Sequence, residues 1–202
     1  DRSIKGFRTR QNLAAVYMDL GDLAKAEEQW RAVVTEVPKY PAGWRGLGSV
    51  LLRQQKYDDA LAIVEQMQTS TALARDARLL RVEAFTAQGD LDSARNTLEP
   101  AIQEDPGDLE LLECRCRLLF EHFPPSEAES AFRDLLAHDP GNAAAHHNLG
   151  SILYKLGRYD ESTAAYRRSL EFRPNFPSTC LHLGLALREA GKTDEAIMVL
   201  DE

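Results

Sequence analysis

Four short stretches hold residue types that could do chemistry. Gly191-Lys192-Thr193, within AGKTDEA, has the ending of a phosphate-binding loop, in which backbone N–H groups and a lysine cradle a nucleotide's phosphates. Such a loop needs a glycine five residues before Gly191; that position holds Ala186, and no strand-like run precedes it. Asp90-Leu91-Asp92 has the spacing of a metal-binding Asp-x-Asp for sugar nucleotides, but it follows Gly89 in what reads as a turn. Cys114-x-Cys116 would supply two thiolates, whereas structural zinc takes four ligands and the chain has only three cysteines. His146-His147 and His182 could ligate a metal; hydrogen bonding on a helical surface is the plainer use of them. No Ser/His/Asp or Cys/His arrangement can be placed. The segment is therefore expected to be no enzyme, with no catalytic residue, cofactor or metal of its own.

The elements that carry these residues repeat. Pro38, Pro106, Pro140 and Pro174 fall on one 34-residue lattice, with Ala72 in the vacant place. Ala26, Ala60, Ala94, Ala128, Ser162 and Ala196 form a second column, and Gly21, Gly89, Gly157 and Gly191 a third. Large side chains, Trp30, Val64, Leu98, Phe132, Tyr166 and Leu200, form a fourth. Ala14, Gly48, Gly150 and Gly184 form a fifth, each preceded by a leucine. A fixed period of this length is the signature of a helical-repeat array. Each unit reads as two helices, A and B; in the fifth they run over about Asn142–Leu156 and Tyr159–Phe172. Gly157 suits the left-handed residue that ends helix A, and Pro174 stops helix B. Asn142 and Asp108 are expected N-caps, and Pro41 and Pro177 open their A helices in the first turn, which proline tolerates. Gly150, mid-helix, costs about 1 kcal/mol against alanine. Its place is expected where helix A approaches helix B closely, with the alanine column as the matching small face.

Two units depart from the pattern. The third and fourth carry Arg81 and Arg115 where others have leucine, and Val82 and Cys116 where others have Gly or Ala. The arginines are expected to reach a carboxylate from a shifted A helix. In the fourth unit Phe123 replaces the turn glycine, Pro124-Pro125 follow, and Ser126-x-x-Glu129 reads as a capping box that restarts helix B late.

The pattern resembles the tetratricopeptide repeat family from Phe7 to Glu202. Trp44-x2-Leu47-Gly48-x2-Leu51 matches the family's first-helix motif, and Tyr154-x2-Gly157-x4-Ser162-x3-Tyr166-x7-Pro174 continues it. The resemblance implies an all-α fold, a helical-repeat superhelix (α-solenoid) of about six helix-turn-helix units in one array. The units lie near 7–40, 41–74, 75–108, 109–142, 143–176 and 177–202, the last truncated, after a lead-in over 1–6. It also implies that the A helices line a concave groove through set positions. In the first three units these include Arg8, Gln11, Asn12, Arg45, Ser49, Leu52, Arg53, Leu79, Leu80 and Glu83. In the last three they include Glu110, Glu113, Arg117, Phe120, His147, Asn148, Ser151, Tyr154, His182 and Arg188. Groove positions of units one and two hold three cations and one anion; those of units three and four hold one cation and five anions. The groove should be polarised. The lysine and asparagine set with which co-chaperone arrays clamp a peptide carboxylate is not matched, since Gln11, Ala15, Gly46, Asp76 and Leu80 stand in its places.

A protein-interaction scaffold that binds a peptide or partner segment in the groove is the leading expectation. An alternative is a non-catalytic region of a larger bacterial enzyme. DRSIKGFRTRQNLAAVYMDLGDLAKAEEQWRAVV resembles repeats that follow bacterial family-2 glycosyltransferase domains. Self-association through the open ends is a third. The chain starts at Asp1 without methionine and stops within a periodic run, as an excised piece of a longer protein would. A net charge of −8 argues against a nucleic-acid surface, which needs a clustered basic face. No apolar run reaches 18 residues, so no membrane partner is expected; sparse, odd cysteines suggest a reducing, cytoplasmic setting.

Overall fold

The computed structural model describes residues 2–174 and 176–201, all helices and turns without a strand among them. The chain divides into two compact units, Asp1–Glu104 and Asp105–Glu202. In unit 1 the helices are α1 Arg2–Asp19, α2 Leu23–Glu36, α3 Pro41–Arg53, α4 Tyr57–Gln68, α5 Ala74–Gln88 and α6 Leu91–Glu104. A single 3-10 turn, Thr71–Leu73, precedes α5. In unit 2 they are α7 Leu109–His122, α8 Pro125–His138, α9 Ala143–Lys155, α10 Tyr159–Phe172, α11 Pro177–Glu189 and α12 Thr193–Asp201. Contacts join successive helices within each unit, together with α3 to α5 and, sparsely, α9 to α11. These are the nearest-neighbour contacts of a repeat array. Helix α1 starts within the expected lead-in, at Arg2.

The expected boundaries follow from local chemistry. Asn142 and Asp108 cap α9 and α7 with side-chain oxygens that accept from Ala145 N and from Glu110 N and Leu111 N. Pro41 and Pro177 open α3 and α11. Gly21, Gly89, Gly157 and Gly191 take φ between +74° and +82°, the left-handed residue that closes helix A. In the second repeat that place belongs to Gln55, at φ +60° and the one non-glycine residue with positive φ among those described. A side chain strains this conformation by roughly 1–2 kcal/mol. Gln55→Gly should therefore raise stability by about 0.5–1 kcal/mol, read as a higher melting temperature; a lower one would show that the Gln55 side chain contributes more than the strain costs.

The capping box is a correction. Helix α8 begins at Pro125, in register with the other B helices, with Pro124 as N-cap and no side-chain cap. Proline at N1 lacks only an N–H that the first turn leaves unbonded anyway. Glu129 serves elsewhere: it accepts from Arg158 Nη1 at 2.8 Å on both oxygens and pairs with Arg133. The two arginines at leucine positions do reach carboxylates, Arg81 with Glu65 on α4 and Arg115 with Asp134 on α8.

Gly150 is a close-approach site, but what approaches is a ring. A Cβ there would lie 2.8 Å from Tyr166 of α10, and one at Gly184 2.8 Å from Leu200 of α12. The small column adds a bond: buried Ser162 Oγ donates to Gly150 O at 2.7 Å. Gly48 departs from the expectation. Its notch takes Leu80 of the next A helix, α5, 2.5 Å from where a Cβ would be.

Candidate partner-binding surface

The expected groove residues lie on the A helices, and most are accessible. In unit 1, Arg8, Asn12, Arg45, Ser49, Arg53 and Glu83 are exposed, while Gln11, Leu52 and Leu79 are half-buried. Leu80 is a correction: it is buried at 4% exposure, its side chain spent in the Gly48 notch. Two of the basic groups are tied down. Arg45 Nε lies 3.3 Å from the carboxylate of Asp76, which is itself buried, and Arg53 Nη1 donates to Met18 O at 3.2 Å. Gln11 Oε1 accepts from Tyr40 Oη at 2.9 Å.

In unit 2, Glu113, Arg117 and Arg188 are exposed; Glu110, Phe120, His147, Asn148, Ser151, Tyr154 and His182 are half-buried. Two distinct local environments result. Toward the C-terminal side a ring cluster closes the space between α9 and α11. His147 lies with ring centroids 5.3 Å from His182, 5.4 Å from Phe176 and 5.5 Å from Tyr166. His147 Nδ1 shares a 2.8 Å hydrogen bond with Thr179 Oγ1, and Ser151 Oγ one of 3.0 Å with Tyr166 Oη. Burial holds the His147 pKa below the ordinary histidine value, with the neighbouring His182 adding to it. Both histidines pack among the rings, and His147 also hydrogen-bonds through Nδ1; among the described residues no group of three or more His, Cys, Asp or Glu could hold a metal.

Toward the N-terminal side the surface stays open. A cavity of about 440 Å³ lies among α7, α8 and α9, floored by Phe120, Phe132, Leu135 and Ala145. Phe120 and Phe132 meet edge to face at 6.0 Å. Glu113, Arg117 and Glu121 stand on its α7 side, and Asn142, Ala144 and Asn148 on its α9 side. Sequence reasoning named several of these residues but not the cavity they make.

The other stretches resolve into architecture. Gly191 forms the α11–α12 turn at φ +78°, and Lys192 Nζ pairs with Asp160 Oδ1 at 2.6 Å. Asp90 accepts from Ser93 N at 3.1 Å, the first turn of α6, and this bonding with Ser93 holds its carboxyl below the ordinary value. Cys114 and Cys116 are buried, and burial pushes the Cys116 thiol up to about 12, which leaves it protonated and unreactive at neutral pH. His146 Nε2 donates to Pro140 O at 3.0 Å.

Two family models described as tetratricopeptide repeat match, one over residues 12–72 and 125–177, the other over 51–113. Cellulose synthase operon protein C of Xanthomonas axonopodis pv. citri is 29% identical over 163 residues, 75% of this chain and 10% of that protein. Its counterpart in Pseudomonas fluorescens is 24% identical over 93% of this chain and 16% of its own. Type IV pilus assembly protein PilF of Pseudomonas aeruginosa is 31% identical over 48% of this chain and 38% of its own. The chain thus spans a small part of these relatives. Among solved structures, MamA (AMB-1) superposes with TM-score 0.63 at 20% identity, covering 80% of this chain and 88% of that one. A tetratricopeptide repeat protein from Parabacteroides merdae gives 0.63 at 22% identity, covering 98% and 78%. At these identities the structural likeness concerns the fold.

Proposed function

Because this chain belongs to the tetratricopeptide repeat family, we propose that it is a protein-interaction scaffold that binds a partner segment along the exposed faces of its A helices. The observation that supports this most is the two-faced build of those helices. On α3, Leu47, Val50 and Leu51 are buried at 1% exposure or less, while Arg45, Ser49 and Arg53 of the same helix face solvent. Complementary charge would orient the partner: on unit 1, acidic toward Arg8, Arg45 and Arg53 and basic toward Glu83; on unit 2, basic toward Glu110 and Glu113.

The test is quantitative capture of partners from the source cells by the immobilised chain, at low and high salt. Arg45→Gln with Arg53→Gln, and separately Glu110→Gln with Glu113→Gln, should reduce the captured protein at least about fivefold at low salt. Arg31→Gln with Arg168→Gln, exposed positions on α2 and α10, should leave it within about twofold. Equal capture by both sets would place the interface off the A helices.

A second reading draws on the cellulose synthase operon relatives, of which this chain matches a tenth to a sixth. In it the array is the non-catalytic part of a larger bacterial protein that works beside a polysaccharide synthase or a family-2 glycosyltransferase. The complete reading frame decides it: neither a transferase domain nor a synthase neighbour would sink this reading.

A further inference from the structure

In the cavity among α7, α8 and α9, Cys116 stands at the place of Gly48, and among the described residues no large side chain comes between the two A helices. Between α3 and α5 the A helices close on a leucine, Leu80 seated in the Gly48 notch. One 34-residue period further than α5's successor, the place of Leu80 belongs to Asn148, whose short polar side chain lines the cavity without filling it. Between α9 and α11 the same place is His182, and there the rings of His147, Tyr166 and His182 close the gap. Beside α7 the apolar floor is open at half-buried Phe120, with Phe132, Leu135 and Ala145 beneath it at 2–3% exposure.

The rim selects charge. Glu113 and Glu121 border the opening with one guanidinium, Arg117, between them on the same helix. Glu110 lies one turn before Glu113, and Asn142 Nδ2 donates to both Glu113 Oε1 at 3.2 Å and Asp139 Oδ2 at 3.1 Å. The other cation at hand, Lys155, has its ammonium 4.9 Å from the centre of the Phe120 ring. Among the residues that line the cavity, two carboxylates, Glu113 and Glu121, stand against one guanidinium, Arg117, which leaves the lining negative. That Lys155 already rests on the floor's aromatic ring shows the kind of group this surface holds: a cation beside an aromatic face.

We infer that this cavity is an anchor site for a large apolar side chain, aromatic or leucine, flanked by lysine or arginine in a partner peptide. This rests on the scaffold reading and names the partner chemistry at one place on it. The peptide's apolar residue would rest on Phe120 beside Asn148, and its cations would meet Glu113 and Glu121. A side chain of this size, fully buried, contributes about 1.5–3 kcal/mol, so an isolated short peptide should bind weakly and saturably.

The probes are the acetylated, amidated peptide KKFKK, its acidic counterpart EEFEE and the ring-free KKGKK, titrated into the isotopically labelled full chain by NMR. KKFKK should shift the amides of Cys116, Ala144, Ala145 and Asn148 saturably, and EEFEE and KKGKK should bind at least tenfold more weakly. Asn148→Leu places an apolar side chain over the floor; it should abolish KKFKK binding while raising the melting temperature. Opposite movements of stability and binding separate a plugged site from a misfolded one. Glu113→Gln with Glu121→Gln should weaken KKFKK at least threefold and narrow its advantage over EEFEE. Absence of saturable shifts, equal binding of EEFEE, or full binding by the Asn148→Leu variant would each overturn the assignment. Saturable shifts confined to other A-helix residues would remove the anchor site and leave the scaffold reading standing, whereas shifts confined to B helices would remove both.

Discussion

Gly150→Leu should destabilise unit 2 by about 3 kcal/mol or more, the cost of forcing a large side chain into a packed core. The first added carbon already lies 2.8 Å from two atoms of the Tyr166 ring. That ring has no free direction: Tyr166 is 2% exposed, its hydroxyl is bonded to Ser151, and His147 and His182 stand against it. Alanine at this position is a finer probe. It recovers about 1 kcal/mol of helix propensity yet still needs the ring to shift, so Gly150→Ala should lose less than the leucine variant. Adding Tyr166→Leu to Gly150→Ala should return part of the loss, because a smaller branched side chain can turn away. Ala94→Leu, at a position with no exposed surface, should act likewise in unit 1. Urea melts followed by circular dichroism give the ranking. Unchanged melting of Gly150→Leu would mean that α9 and α10 do not meet as described.

Arg45→Glu should cost unit 1 about 1–3 kcal/mol, more than a surface charge change ordinarily does. Its partner Asp76 is 6% exposed, and the Arg45 guanidinium 3.3 Å away offsets its burial from a position still half open to water. Reversal would place two carboxylates together at the start of α5. Arg45→Gln should cost less, and Arg45→Glu with Asp76→Arg should recover part of the loss by exchanging the pair. If the double variant melts no higher than Arg45→Glu alone, the pairing is not what holds Asp76. The choice of neutral variants for testing partner capture follows from this coupling, since a reversal would confound binding with folding.

Where local chemistry decides, the sequence was legible. Prolines and glycines on a fixed period marked the helix ends, and α10 lies where it was read, at Tyr159–Phe172. Arg81 and Arg115 reached carboxylates because a long side chain on a crowded helix has little else to do with its charge. What failed needed three dimensions. Ser126-x-x-Glu129 has the composition of a capping box, but Pro125 fixes the start of α8 by itself, and Glu129 is drawn off to Arg158. Leu80 counted as a surface position because the period places it on the A-helix face; only the absent Cβ at Gly48 shows why it turns inward. The cavity beside α7 was invisible for the same reason, since Asn148 reads as one more polar groove residue until its neighbours are placed around it.

The small column has one further consequence. In the first four repeats it is alanine, but in the fifth Ser162 bonds Gly150 O, and Ser169 Oγ donates to Ala143 O at 2.8 Å. Of the five buried polar residues among those described, Ser162, Thr163, Ser169 and Thr179 belong to the last two repeats. Apolar cohesion weakens as water cools, while a hydroxyl–carbonyl bond inside a protein does not depend on that solvent entropy. The alanine-lined repeats of unit 1 should therefore loosen first toward freezing, and the α9–α10 pair should be the part of the molecule least sensitive to cold.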